Sequence, residues 1–410
     1  MTSTSATTRV LPASRGGGGR SRAPRRAPRA RIGRVVSLDA ARGVLVLGTV
    51  AWLAAPRRPF PASQGFGALG LDAIAMPAFA VILGCALAMA QHRGWTSGAR
   101  VARRALLLVA LGLATAAAAA LLAGATTGAT WDSASGALGG LERTAVAGPL
   151  VQLGVAVAGL GVLAALARSW SAWVWAVVAT TAIGAAALWL TTALCGGPSD
   201  DCSPATLVVG GVADAAGASA DPALVAGATT VVAGLGLVVP AAAGAALVHG
   251  LLRARSVTGR QRRRVVGYAL LAATLFGVLG ILAHFTPTVW GQAALEPRTA
   301  LWTPPLTLAV AALASVLAAA MHPSIDTDLR GGTSALGAFA EPFAALGRCS
   351  LLAVGTTAAA RALLESLPAS PVAWFARLGD IPSIVLALVV AAGWLLLALA
   401  ADRRGRRLRP

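Results

Sequence analysis

Lysine is absent from this chain of 410 residues: all 34 basic residues are arginine, against 15 acidic ones, and only 12% of the chain is charged. A soluble domain is about 25% charged and about 45–50% apolar. Here 57% of residues are hydrophobic and the mean hydropathy is +0.73. So little charge cannot coat a soluble surface, which excludes a soluble enzyme, a disordered hub and a disulfide-rich secreted module. Cysteine is scarce, with four in all. Cys85 and Cys349 lie in apolar stretches and read as small core residues. Cys195 and Cys202 flank the polar loop CGGPSDDC and can pair if that loop faces an oxidising compartment. No H-E-x-x-H, C-x-x-C or Walker sequence is present, so no metal, redox or nucleotide motif is in view. The GGGG run near the N-terminus precedes no helix that would cradle phosphate and reads as a linker. No repeat of fixed period stands out.

What is present is a series of apolar runs of about 20 residues, the length of a membrane-crossing helix. Ten are read, at 35–55, 69–91, 105–125, 145–167, 172–194, 223–252, 265–285, 303–321, 347–364 and 381–401. They are rich in Ala, Leu and Gly and lack the period-2 alternation of barrel strands, so helices are expected. The sixth is long enough to tilt, with Pro240 as a kink. The fold class is therefore all-α, a polytopic integral membrane protein. Residues 1–34, made largely of Arg, Gly, Pro, Ser and Ala, read as a disordered tail. Residues 35–402 form the helical domain and 403–410 a short basic tail.

A net charge of +19 and a pI near 11.8 would suggest nucleic acid in a soluble protein. Sorted by loop, 27 of the 34 arginines fall on one side of a ten-span topology that starts inside. That is a positive-inside pattern with both termini cytoplasmic, in a multi-pass protein of the cell membrane. The charge is a topology signal, so the expected partner is the bilayer and not nucleic acid. The acids Asp132, Glu142, Asp200, Asp201, Asp214, Asp221, Glu296, Glu365 and Asp380 fall outside, as does the loop that holds Cys195 and Cys202. An N-terminal signal peptide is a poor fit, because the basic region is long and Asp39 and Arg42 interrupt the apolar run.

Charge within an apolar span marks function by default. Asp39 and Arg42 are three residues apart in SLDAARG, on one helix face, with Ser37 placed to cap the helix. Arg42 keeps its charge and forks well onto phosphate or carboxylate. The pair reads either as an anion site at the inner face or as an ion pair that fixes helix position. His92, His249 and His322 lie near inner span ends and read as interface residues. His284, in ILAHFTPTVW, is the one histidine on the outer side. Asp72 sits at the outer end of the second span, as an acceptor-facing acid or a partner of Arg57, Arg58 or Arg298. Gln152 suits a cross-helix hydrogen bond. Trp52, Trp131, Trp290, Trp302 and Trp374 fall near the outer boundary as aromatic anchors.

The stretch R-V-V-S-L-D-A-A-R-G leading into the first span resembles the heparan-alpha-glucosaminide N-acetyltransferase family and its bacterial transmembrane acyltransferase-like relatives. Further stretches follow in the family's order. They are GLDAIAMPAFAVILGCALAM with Asp72, Pro77, Phe79 and Gly84, then RRALLLVALGL, GPLVQLG, PRTALWTPPLTL and GRCSLL, together covering about 35–360. The resemblance implies transfer of an acyl (acetyl) group from cytosolic acyl-CoA (acetyl-CoA), bound as a co-substrate and not as a resident cofactor. The acceptor would be an extracytoplasmic sugar or glycolipid. Arg42, supported by Asp39, would meet the donor's phosphates. His284 and Asp72 would be the catalytic pair, with Gln152, Arg298 and Trp302 on the substrate. The family places its catalytic histidine in the outer loop between the first two spans, and AAPRRPFPASQGFGALG has none. Leu153 also stands where the family has Arg, Thr299 where it has Lys, and Pro305 where it has Ser. A transporter or lipid-handling protein, or a non-catalytic relative on the same scaffold, therefore stands beside the acyltransferase. Oligomerisation is left open.

Overall fold

A computed structural model describes residues 36–56, 71–94, 98–127, 148–195, 203–217, 222–255, 261–292, 294–295, 297, 301–325, 335–365, 367 and 370–404. Among them there is no strand. The helices are α1 (Val36–Ala54), α2 (Leu71–His92), α3 (Gly98–Thr127), α4 (Pro149–Leu166), α5 (Trp170–Cys195), α6 (Pro204–Ala215) and α7 (Pro222–Gly236). They continue as α8 (Val238–Arg255), α9 (Gln261–Phe285), α10 (Pro304–Ile325), α11 (Ala335–Arg348), α12 (Ser350–Glu365), α13 (Pro371–Arg377) and α14 (Asp380–Arg403), with a 3-10 turn at Thr286–Trp290. Among the described residues, seven helical stretches are long and apolar enough to cross a membrane, eight if the bent pair α11–α12 is one span. The chain is an all-α membrane protein.

Helix α8 is the hub. Of the span Gly227–Arg253, which runs from the end of α7 through α8, 78% is buried inside the protein, against 17% for Asp380–Arg403. It packs on α2, α5, α9 and α10. Its composition explains the position. Lipid tails are as apolar as leucine, so helices in a membrane associate through close packing of small residues. In α8, Ala241, Ala242, Ala243, Gly244, Ala245 and Ala246 form such a surface. A Cβ on Gly84 would overlap the Ala241 carbonyl, and one on Gly244 the Val81 carbonyl, so α2 and α8 touch backbone to backbone. Helices α1 and α11 meet in the same way. A Cβ on Gly43 would overlap the Phe343 carbonyl, and one on Gly347 the Asp39 carbonyl.

Two breaks differ from the sequence expectation. The sixth apolar run turns at Leu237 and not at Pro240. A proline ring clashes with the carbonyl four residues earlier, here that of Gly236, so the helix ends upstream of the proline that ends it. The ninth run, expected over 347–364, is α12 apart from its first three residues, and it meets the preceding segment Phe339–Arg348 at 66°. Helix α11 before the bend and the short apolar helix α6 after Cys195 were not expected. Cys195 is disulfide-bonded, Cys85 and Cys349 are free thiols, and Cys202 lies outside the described residues.

Candidate functional site

Ser37, expected as a cap, lies inside the first turn of α1 and is buried; Asp39 occupies the same turn. One turn on, Arg42 has its Nε buried with no hydrogen-bond partner among the described residues. Asp39, Arg104 of α3 and Cys349 are close enough to act on its charge. The contact of Gly347 with Asp39 and of Gly43 with Phe343 lays the last turn of α11 on the turn of α1 that carries Arg42. There α11 stops, at Arg348, whose Nη2 is 2.6 Å from Oδ2 of Asp402 in the last turn of α14. The chain bends at Cys349 and restarts as α12 at Ser350, which is 2% exposed and whose hydroxyl has no partner among the described residues.

The result is a broken helix pressed against a half-buried arginine whose Nε is shut away from solvent. Arg42, Arg104 and Arg348 supply three positive charges, and Asp39 and Asp402 two negative ones, a balance of +1. The first N–H groups of a helix have no partner within it, and its N-terminus carries about half a positive charge. The start of α12 adds that dipole to the cluster. A buried, unpaired polar group costs about 1–3 kcal/mol. Two of them, Arg42 Nε and the Ser350 hydroxyl, stand where the chain also breaks. This arrangement can bind an anion through a guanidinium fork. The Cys349 thiol is not offered to a ligand, because it donates to the Ala345 and Leu346 carbonyls at 3.5 Å.

A second basic recess adjoins it. A cavity of about 620 Å³ is lined by Gln91, His92, Arg168 and His249, with Val101 of α3 and no carboxylate among the described residues. Gln91 Nε2 donates to the Ala164 carbonyl at 2.8 Å, which fixes the amide and turns Oε1 toward His249 Nε2 at 3.2 Å. His249 therefore donates from Nε2. Its ring stacks on the fully buried Trp173, with centroids 6.3 Å apart. Val101 and Arg104 are one turn apart on α3, so the first two turns of that helix join the recess to the Arg42 cluster. His92 is exposed at the end of α2, and the side chain of His322 lies outside the described residues.

The other expected residues sit at the far ends of their helices. His284 Nδ1 donates to the Leu295 carbonyl at 2.7 Å, and the Leu295 N–H returns a bond to the His284 carbonyl at 2.9 Å. A carbonyl only accepts, so the proton is on Nδ1 and the lone pair of the neutral ring is on Nε2. Trp302 Nε1 donates to Gln152 Oε1 at 3.0 Å. Trp302 is 7% exposed and has φ 48°, the one non-glycine residue with positive φ among the described residues. Such a backbone costs about 1–3 kcal/mol and marks a site that its surroundings hold in place. The structure thus joins Gln152 to Trp302, and Leu295, the partner of His284, packs with Leu301 beside Trp302. The side chain of Asp72, and Arg57, Arg58 and Arg298, lie outside the described residues.

Sequence reasoning found Arg42 and Asp39 but missed Arg104, Arg348, Asp402 and Ser350. The first two had been counted as topology charges. The signal available for Ser350 was GRCSLL, in which a small residue, a charge and a hydroxyl follow one another inside an apolar run; Asp402, at the start of the basic C-terminal run, had none. No group of three metal-ligating side chains occurs among the described residues. Compared with known proteins, the chain matches no family model and no curated protein.

Proposed function

We propose that this membrane protein is an acyltransferase of the kind its motifs resemble, taking an acyl (acetyl) group from cytosolic acyl-CoA (acetyl-CoA) to an extracytoplasmic sugar or glycolipid. The observation that carries the proposal is the buried Nε of Arg42, without a partner among the described residues, at the break between α11 and α12. A bilayer-embedded guanidinium is expensive unless a partner arrives. A phosphate from an arginine-rich cytoplasmic face would supply one, and the recess lined by His249, His92 and Arg168 extends the basic surface along α3. The topology is ten spans with both ends cytoplasmic, in the plasma membrane. On the far side, His284 is the base and Asp72 faces the acceptor, while Gln152, Arg298 and Trp302 bind it. The protein is not assigned an oligomeric state.

The test is purified protein in vesicles with acetyl-CoA labelled on the acetyl group. Saturable binding of acetyl-CoA that Arg42→Gln removes, with label passed to an envelope glycan or glycolipid fraction, supports the proposal. Absence of both overturns it. A second reading rests on the 66° helix break, since discontinuous helices carry the substrate sites of many secondary transporters. In that case the intact anion would cross the vesicle membrane, and no label would be transferred.

A further inference from the structure

We infer that the cavity between the ends of α1, α12, α13 and α14 is a binding site for a phospholipid, with one acyl chain inside and the phosphate at Arg361. The cavity holds about 460 Å³, within the range of about 300–1,000 Å³ typical of small-ligand sites. Leu53 and Ala54 of α1, Thr357 and Arg361 of α12, Phe375 of α13 and Trp394 of α14 are among its walls.

The walls define what fits. The two threonines offer the cavity little polar chemistry, because their hydroxyls are used inward. Thr356 donates to the Leu352 carbonyl at 2.7 Å, and Thr357 donates to the Ala353 carbonyl at 2.7 Å while accepting from Trp394 Nε1 at 3.1 Å. Among the described residues, Arg361 is the one charged group in the lining. Its Nε donates to Glu365 at 2.8 Å, and its Nη1 to the Leu53 and Ala55 carbonyls at 2.9 and 3.1 Å. Those bonds hold the guanidinium rigid and leave Nη2 without a partner among the described residues. An apolar body with one phosphate end matches a hydrocarbon wall with one fixed cation at its rim.

Position points the same way. Arg361 is eleven residues along α12 from Ser350, and Leu53 eleven along α1 from Arg42, so the cavity is about 17 Å from the Arg42 cluster, at the opposite end of the same helices. Across it lies α13, a seven-residue helix with Trp374 57% exposed and Phe375 turned to the cavity. An exposed tryptophan on a short helix beside span ends is how chains sit at headgroup level. The site belongs to the scaffold and is independent of the acyltransferase proposal.

The experiment uses the full chain in phosphatidylcholine vesicles doped with a phosphatidylglycerol that carries a photoactivatable diazirine in its acyl chain. Cross-links are mapped by mass spectrometry. The site is supported if residues 371–375 and 386–390 are labelled in excess of the outward face of α14, where Ile381 is 77% exposed and reports bulk lipid. Ala360→Trp and, separately, Val390→Trp fill the cavity and should abolish the excess while leaving the Ile381 label, which also shows that the protein is folded. Labelling no denser than at Ile381, or unaffected by both variants, overturns the site. Unlabelled phosphatidylglycerol should compete and a phosphate-free diacylglycerol should not; equal competition by the two overturns the phosphate contact.

Discussion

The substitution Arg42→Gln separates a ligand-binding arginine from a structural one. It keeps a donor amide and removes one of three positive charges, taking the cluster of Arg42, Arg104, Arg348, Asp39 and Asp402 from +1 to zero. A hydrogen bond between charged groups is worth about 1.5–3 kcal/mol. At about 1.4 kcal/mol per factor of ten, losing it weakens acyl-CoA binding by about 10- to 150-fold. The effect on stability has the opposite sign to that of an ordinary buried ion pair. Because Arg42 Nε has no partner in the ligand-free protein, exchanging the guanidinium for a neutral amide relieves a buried donor. The ligand-free variant should therefore unfold no more easily than the wild type. A ligand at 100 times Kd stabilises by about 2.7 kcal/mol, and a hundredfold weaker Kd reduces that to about 0.4 kcal/mol. Thermal unfolding in nanodiscs, with and without acyl-CoA, reads both quantities. If Arg42→Gln costs the ligand-free protein about 3–5 kcal/mol, as removing one partner of a buried pair does, and the acyl-CoA shift persists, Arg42 holds Asp39 in place and the anion site is wrong.

Three other outcomes are expected. Trp302→Phe removes the Nε1 donor to Gln152 and should cost about 0.6 kcal/mol, and no more than about 1.7, in a double-mutant cycle with Gln152→Leu, as cross-helix hydrogen bonds in membranes do. His284→Ala should leave acyl-CoA binding intact and abolish transfer of label; unchanged transfer would remove His284 from the chemistry. Maleimide applied to the native protein should modify none of Cys85, Cys195 and Cys349, because the first and last are buried and Cys195 is in a disulfide; mass spectrometry of intact protein and its peptides checks this.

The positions of the helices were legible because long Ala- and Leu-rich runs bury their own backbone groups and need no partner to be recognised. The break at Cys349 was not. Neither proline nor glycine stands at 349 or 350, and Pro342 lies inside α11 without ending it. What coincides with the bend is the crossing of α11 on α1 at Gly43 and Gly347, a tertiary fact. Arg42 was legible as a charge inside an apolar run. Arg104 and Arg348 were not, because a basic residue at a span end is explained by topology until the fold brings it beside another. The locked pair Gln91–His249 was hidden for the same reason: the residues are 158 apart in sequence, and their tautomer is set by a third element, α4.

Two glycines allow fold and function to be tested apart with the same perturbation. Gly43→Ala and Gly84→Ala each place a methyl group on a backbone carbonyl of a neighbouring helix, Phe343 in α11 and Ala241 in α8. Both crossings are backbone to backbone, so neither neighbour can yield by rotating a side chain. Each substitution should cost about 1–3 kcal/mol, as overpacking does. The consequences for binding differ. At Gly84 the displaced helix is the hub, which carries His249 of the neighbouring recess but no member of the Arg42 cluster, so the affinity of the folded fraction should fall much less than in Gly43→Ala. At Gly43 the displaced element is α11, whose end carries Arg348 and leads into Cys349, which lies within reach of the Arg42 charge. Moving it opens the cluster without removing a charge, so affinity should fall although every charged residue is still present. Equal loss of affinity in the two variants, after correction for the folded fraction, would mean that binding follows general stability and not the apposition of α11 on α1.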